Sequence, residues 1–256
     1  FTAVFSQSTH ILTNGWEKAI DQRHDRIGTD DSRLNAPFDI TEIQSAIKCL
    51  RTKKSPGIDD VCSEMLSCSS GLILPYLLKI FNEIFSTGIY PLSWSESIVV
   101  PIFKKGNVNE ANNYRGISLT SILSKVFVHV LKSRLTEWAE ENDLISEEQA
   151  GFRRGYSTID NIFTLYGIIQ HHLQRRKKLY VAYIDFRKAF DTVNRDALWR
   201  ILERNGVRGH MINILKSMYS AVRCRVRCAE GFSEVIECLL GLKQGCKASS
   251  ILFLYM

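Results

Sequence analysis

Between Leu119 and Trp138, apolar residues recur at Leu119, Ile122, Leu123, Val126, Phe127, Val130, Leu131 and Leu135. Steps of three and four put all eight on one face of a helix. A helix of about 20 residues is about 30 Å long, close to the diameter of a small domain. Its apolar stripe must be covered from outside, so the rest of the chain has to supply a core of that size. With 256 residues, 45% of them hydrophobic, it can do so.

The remaining segments do not alternate strand and helix in a regular way. Thr41-Glu-Ile-Gln44 has the pattern of a helical capping box, and Ile43, Ala46, Ile47 and Leu50 follow it as an apolar stripe. Lys53-Lys-Ser-Pro-Gly-Ile-Asp59 breaks that helix with a basic Pro-Gly turn. Helices are expected over 75–85, stopped by Gly88, over 158–174, and over 194–205, where Asn194 is the cap and Gly206 the stop. Strands are expected at 97–103, which leads into a basic turn at 104–109, and within 177–184, where a basic turn runs into a continuous apolar strand that suits the buried centre of a sheet. In 222–228 the side chains alternate: Val222, Cys224, Val226 and Cys228 on one face, Arg223, Arg225 and Arg227 on the other. A Glu-Gly turn and a second strand over 234–239 would complete a hairpin. This irregular mixture points to an α+β fold.

The net charge of +6 leans toward a polyanionic partner. No apolar run reaches the roughly 18–20 residues of a membrane span. The seven cysteines, Cys49, Cys62, Cys68, Cys224, Cys228, Cys238 and Cys246, form no CxxC pair. Reduced thiols in an intracellular, non-secreted protein are therefore expected rather than zinc or a disulfide framework. Phe1 is not an initiator, and Ile251-Leu-Phe-Leu-Tyr-Met256 stops on apolar residues, which reads as a fragment. A fragment cut inside its core is expected to aggregate on expression.

Chemistry concentrates at Tyr183-Ile-Asp185-Phe-Arg-Lys-Ala-Phe190-Asp191. An apolar strand ending on Asp185 would deliver a carboxylate to a sheet edge, where magnesium takes hard oxygen ligands. For an isolated Asp, a plain strand-end turn is the simpler reading. Arg223, Arg225 and Arg227 fit a nucleic-acid backbone or a solvated face paired with Glu234 or Glu237 equally well, and Arg153 and Arg154 carry the same two readings.

The Asp185 segment resembles motif A of reverse transcriptases of the non-LTR, LINE-type retrotransposons. Pro101-Ile-Phe-Lys-Lys-Gly106, Asn113-Tyr-Arg-Gly-Ile-Ser-Leu-Thr-Ser121, Ser124-Lys-Val126 and Arg134-Leu135 are similar to that family's fingers motifs, and Lys54-Ser-Pro-Gly-Ile-Asp59 to the element before them. Gln149-Ala-Gly-Phe-Arg-Arg-Gly-Tyr-Ser-Thr158 resembles the segment between fingers and palm, and Gly241-Leu-Lys-Gln-Gly-Cys-Lys-Ala-Ser-Ser-Ile-Leu-Phe253 resembles motif B. The wording of motif A resembles LINE types more than group II intron types.

The resemblance implies a right-hand polymerase: a linker over 1–38, fingers over 39–178 and a partial palm over 179–256, with no thumb. It implies RNA-directed DNA synthesis, in which a primer 3′-hydroxyl attacks a dNTP, with RNA template, DNA primer and two Mg²⁺ ions as partners in the nucleus and cytoplasm. Asp185 and the Phe186 carbonyl would hold metal. Phe190 would lie beneath the nucleotide sugar, Lys104 or Lys105 and Arg115 would grip the triphosphate, and Gln244 and Gly245 would lie against nucleotide and template. Lys247 and Ser250 stand where motif B commonly has prolines, which bears on the local turn. The family's aromatic-x-Asp-Asp hairpin does not occur, and no Asp follows Asp196, so residues 1–256 alone are expected to be inactive. The alternative is a non-catalytic nucleic-acid-binding remnant of a decayed or domesticated element.

Overall fold

The computed structural model describes residues 32–256 apart from Arg187, Ala229, Gln244 and Met256. The charged stretch 21–31 lies outside the described residues. The end of the span read as linker is part of the core: Ser32–Asn35 form a short helix, α1, and Leu34 and Phe38 are buried.

Helix α2 spans Ile40–Lys48. Its capping box sits two residues before the expected one. Asp39 is the cap, the Thr41 amide donates to Asp39 Oδ1 at 3.3 Å, and Glu42 reaches back to the Asp39 amide at 2.8 Å. Asp is as good a cap as Thr, and starting at Ile40 puts Glu42 at the third helical position, where its carboxylate can close the box. After α3 (Ser63–Cys68), helix α4 runs over Ser70–Thr87, five residues earlier than expected, with Pro75 inside it. The ring removes one helical hydrogen bond. The carbonyl left over is that of Gly71, which is exposed and open to water. Gly88 ends the helix in the left-handed conformation, φ +69°.

A single turn, α5 (Leu92–Ser95), leads into β1 (Glu96–Phe103), which pairs antiparallel with β2 (Tyr114–Thr120). Leu119 belongs to β2 opposite Ile98, so the long helix α6 spans Ile122–Glu141 rather than starting at Leu119. Helix α7 (Thr158–Gln174) starts at a Ser157/Asp160 capping box. It buries none of its residues, and Ile159, Ile162, Phe163 and Tyr166 face outward.

The expected strand at 177–184 does not form: 177–186 is irregular and exposed, with Tyr183 and Ile184 each 83% accessible. A strand holds only while its backbone groups are paired. No described strand pairs with this segment. Helices α8 (Arg195–Arg204, capped by Asn194 Oδ1 on the Ala197 amide at 3.0 Å) and α9 (Gly209–Ser220) follow. Strand β3 (Arg223–Cys228) then runs parallel to β1, pairing Glu96 with Arg223 and Val99 with Val226. Of the second strand expected at 234–239 only β5 (Ile236–Glu237) forms, while β4 (Gly231–Phe232) falls before it, where the turn was expected, so the sheet has order β2-β1-β3-β4 with β5 also on β3. Helix α10 (Ser249–Leu254) closes the fold, with Ile251, Leu252 and Tyr255 buried.

One continuous apolar core runs from Leu34 to Tyr255 in sequence, with α6 at its centre. Edge-on rings fill it: Phe81 meets Phe127 at 5.3 Å and Trp94 at 5.9 Å, while the Tyr90 and Ser124 hydroxyls bond at 2.7 Å. Arg134, 6% accessible, is held in this core. It makes two 2.7 Å bonds to Glu42, donates to the carbonyls of Ala36 and Pro37, and stacks on Phe38.

Candidate active site

The β1–β2 hairpin carries the basic tip. The Lys104 amide donates to the Asn113 carbonyl at 2.9 Å, and Asn113 Nδ2 donates to the Asn107 carbonyl at 2.9 Å. The loop is tight: Gly106 has φ +96°, and a Cβ there would lie 2.6 Å from Asn113 Nδ2. Lys104 and Lys105 are exposed on this tip. Arg115 lies just inside β2 opposite Ile102, so the two side chains leave the same face of the hairpin. Arg115 is exposed, and none of the three cations has an ion-pair partner among the described residues.

Two distant segments meet this hairpin. The turn after Asp185 reaches it through Lys188, which has φ +53° and whose Nζ donates to Asn112 Oδ1 at 3.2 Å. Asp185, three residues earlier, is exposed, as is Phe186. The motif B loop reaches the hairpin through Gly245, where a Cβ would lie 3.0 Å from the Ser118 carbonyl oxygen and φ is +103°. Gln244 lies outside the described residues.

The 185–193 turn and the motif B loop are also tied to each other. The Leu242 amide donates to the Phe190 carbonyl at 2.8 Å and the Gly241 amide to the Val193 carbonyl at 3.1 Å. Phe190 is half-buried, its ring 4.8 Å from Phe253 and 6.1 Å from Phe152. Sequence reasoning missed the residue that fixes this junction. Arg195 donates to the carbonyls of Gly241 at 2.9 Å, Leu240 at 3.0 Å and Tyr219 at 3.0 Å. Its guanidinium pKa is pushed down by burial, and only its position beside the Asn194 cap hinted at a role. Lys243 was missed too. It is largely enclosed, its Nζ donates to the Ser95 carbonyl at 3.1 Å, and burial lowers its pKa.

Lys247 and Ser250 do not disrupt the motif B turn. Ser249 Oγ donates to the Lys243 carbonyl at 2.8 Å, Ser250 Oγ to that of Lys247 at 3.3 Å, and Lys247 Nζ lies 3.2 Å from His129 Nδ1. Hydroxyls on backbone carbonyls thus hold the turn without prolines.

Several basic residues have structural partners. Arg223 faces Glu237 across the β3–β5 ladder at 3.6 Å, and Arg227 stacks on Phe232. Arg153 grips Glu140 through two bonds of 3.0 and 2.6 Å and covers Tyr156. Among the described residues no three His, Cys, Asp or Glu side chains converge as a metal site, and no helix is long and apolar enough to cross a membrane.

The profile of the family described as "Reverse transcriptase (RNA-dependent DNA polymerase)" matches residues 102–256. The chain is 31% identical over 218 residues to a probable RNA-directed DNA polymerase from transposon BS of Drosophila melanogaster, covering 85% of this chain and 24% of the relative. It is 27% identical to the uncharacterized 149 kDa protein of transposon TX1 of Xenopus laevis, over 86% of this chain and 17% of the relative. It is 28% identical to a Pol polyprotein from the type-1 retrotransposable element R2 of Popillia japonica, over 85% of this chain and 29% of the relative. The chain thus spans about a quarter or less of the first two relatives' length. The match covers more than half of the chain and includes the hairpin tip with β2, the Asp185 turn and the motif B loop; the chain belongs to the reverse transcriptase family, with relatives among the non-LTR retrotransposons.

Proposed function

We propose that this chain is the fingers and part of the palm of an RNA-directed DNA polymerase, with the nucleotide held beside the β1–β2 hairpin. One observation carries the reading: three segments far apart in sequence converge there. The hairpin tip brings Lys104, Lys105 and Arg115, the 185–190 turn arrives through Lys188 and Asn112, and the motif B loop arrives through Gly245 and Ser118.

The three cations, without ion-pair partners among the described residues, suit a triphosphate: Arg115 offers a planar fork to phosphate oxygens and the lysines offer point charges. Gly245, without a Cβ, lets the motif B loop come close to the β2 backbone at Ser118. Phe190 presents a bulky ring from a fixed support, its edge set by Phe253. Magnesium takes six oxygens, of which one or two carboxylates are usual, the rest being water and phosphate. Asp185 and the Phe186 carbonyl fit one side of such a site; they do not make a whole one. When bound, the metal neutralises charge developing on the transferred phosphoryl group. The residues here bind and orient: they hold the triphosphate and set its distance from a primer terminus, which is where much of the rate in such reactions arises. RNA template, DNA primer and dNTPs are the partners this reading requires, in the nucleus and cytoplasm.

Photo-crosslinking of an azido-dUTP to residues 1–256 tests it. Label should enter 104–115, 185–190 or 241–246 and fall with Arg115→Ala. Label scattered over the surface and indifferent to that change would overturn the reading. Salt-sensitive RNA binding without nucleotide labelling would instead support the non-catalytic remnant, a reading favoured by the exposed, unpaired segment that carries Asp185.

A further inference from the structure

Two thiols outside the candidate site face each other. Cys224 is on β3 and Cys238 follows β5, where its amide donates to the Val222 carbonyl at 2.8 Å. Because Cys224 pairs with Ile236, Cys238 lies one step along the diagonal on the same face. The two sulfurs are 3.5 Å apart.

The pair is unequal. Cys224 is 3% accessible and sits in a small apolar cluster with Val99, Val226 and Ile236. Cys238 is half-buried and lines an open cavity of about 530 Å³ that also meets Arg195, Lys216 and Arg223. Heavy-atom positions allow either thiol to donate to the other. The more accessible sulfur is that of Cys238, and the Arg195 cation favours negative charge on it, whereas Lys243 acts on both thiols. The pKa of Cys238 is lowered, first by the hydrogen bond between the two sulfurs and, against the opposing effect of burial, by Arg195 and Lys243, while that of Cys224 is raised by the same hydrogen bond and by burial. A half-exposed thiol whose ionisation is favoured, with a second sulfur 3.5 Å away, is the arrangement of a reactive pair.

We propose that Cys224 and Cys238 form a modification site for small disulfides such as oxidised glutathione, with Cys238 as the attacking sulfur and Cys224 as the resolving one. The Cys238 thiolate attacks one sulfur of the reagent, the reagent's S–S bond breaks, and one glutathione thiolate leaves. Cys224, giving up its proton to solvent, attacks the Cys238 sulfur of this mixed disulfide and expels the second glutathione. Both protein thiols are oxidised, two electrons pass to the reagent, and two molecules of glutathione thiol result. Bond formation needs the sulfurs to close from 3.5 Å to about 2.05 Å. A two-residue β5 at the sheet edge can take up that movement.

The test is non-reducing peptide mapping of residues 1–256 after exposure to oxidised glutathione. The expected product is one bridged pair of peptides, 224 with 238, and the loss of two of the seven free thiols. Cys224→Ser should stop the reaction at a glutathione adduct on Cys238, and Cys238→Ser should leave Cys224 unmodified. Cys246→Ser, which removes another half-buried thiol, should still give the bridge. If glutathione goes to other cysteines while 224 and 238 remain free in the wild-type chain, the proposal is wrong. It is equally wrong if Cys224 is labelled as fast without Cys238.

Discussion

Replacing Gly241 with alanine tests the junction between the Asp185 turn and the motif B loop. Gly241 has φ +76°, and a Cβ there would lie 2.6 Å from the Asp191 carbonyl oxygen and 2.8 Å from its carbonyl carbon. These are backbone atoms and cannot rotate away. Two contributions follow. The left-handed conformation costs an alanine about 1–2 kcal/mol. Relieving the contact pushes 190–193 from 241–242 and weakens the bonds of Gly241 to Val193 and Leu242 to Phe190, each worth about 0.5–1.5 kcal/mol. The expected loss is about 2–5 kcal/mol. Gly88 is the control: its φ is similar, +69°, but its nearest outside atom would be Asn213 Cβ at 3.6 Å, an ordinary contact. Gly88→Ala should therefore cost only about 1–2 kcal/mol. Urea unfolding followed by tryptophan fluorescence measures both. Equal losses for the two variants would refute the close approach of the two segments.

Arg134→Ala should destabilise by about 3–5 kcal/mol, because it leaves Glu42 and two carbonyls without their donor. A loss under about 1 kcal/mol in urea unfolding would mean that desolvation cancels the pair. The His129 pKa is pushed down from 6.5 to about 4, first by burial and then by Lys247 and Lys132. The unfolded chain thus binds this proton at a higher pH than the folded one. The stability is fully present above pH 6.5 and is lost as pH falls toward 4. Allowing for partial exposure, the loss is about 1–2 kcal/mol. It should disappear in His129→Gln; an unchanged acid sensitivity in that variant would rule His129 out. Primer extension on an RNA template with Mg²⁺ should give no product with residues 1–256, and incorporation would show that the Asp185 side of the site suffices.

Most helices were legible because their signals are local. Ser157, Asn194, Gly88 and Gly206 act through neighbours within four positions, and the stripes of α4, α6 and α8 repeat every turn. Helix α9 had the same signal in Met211, Ile214, Leu215 and Met218 and was passed over. Strands were harder to read, since a strand depends on its partner. Val181 to Ile184 has the composition of a buried strand, yet no described strand lies beside it. Strand β2, half-exposed and interrupted by Gly116, gave no strand signal of its own, its Leu119 being counted with the long helix, and it is a full partner of β1. The candidate site residues were visible as motifs. The clamp of Arg195 on three carbonyls was not, because nothing local shows which distant carbonyls will face a guanidinium.

The parallel pairing of β1 with β3 has a consequence for synthesis. Ser97 Oγ donates to the Arg223 carbonyl at 3.4 Å, across 126 positions of sequence. A ribosome adding about 5–20 residues per second needs roughly 6–25 s to cover that distance. Throughout that interval β1 can pair with β2 on one side while its other edge, including Ile98 and Val99, has no mate. An open apolar edge is a template for the strands of neighbouring nascent chains. The yield of folded protein should thus depend on how fast the chain is translated between β2 and β3, and on chaperones able to cover that edge while it waits.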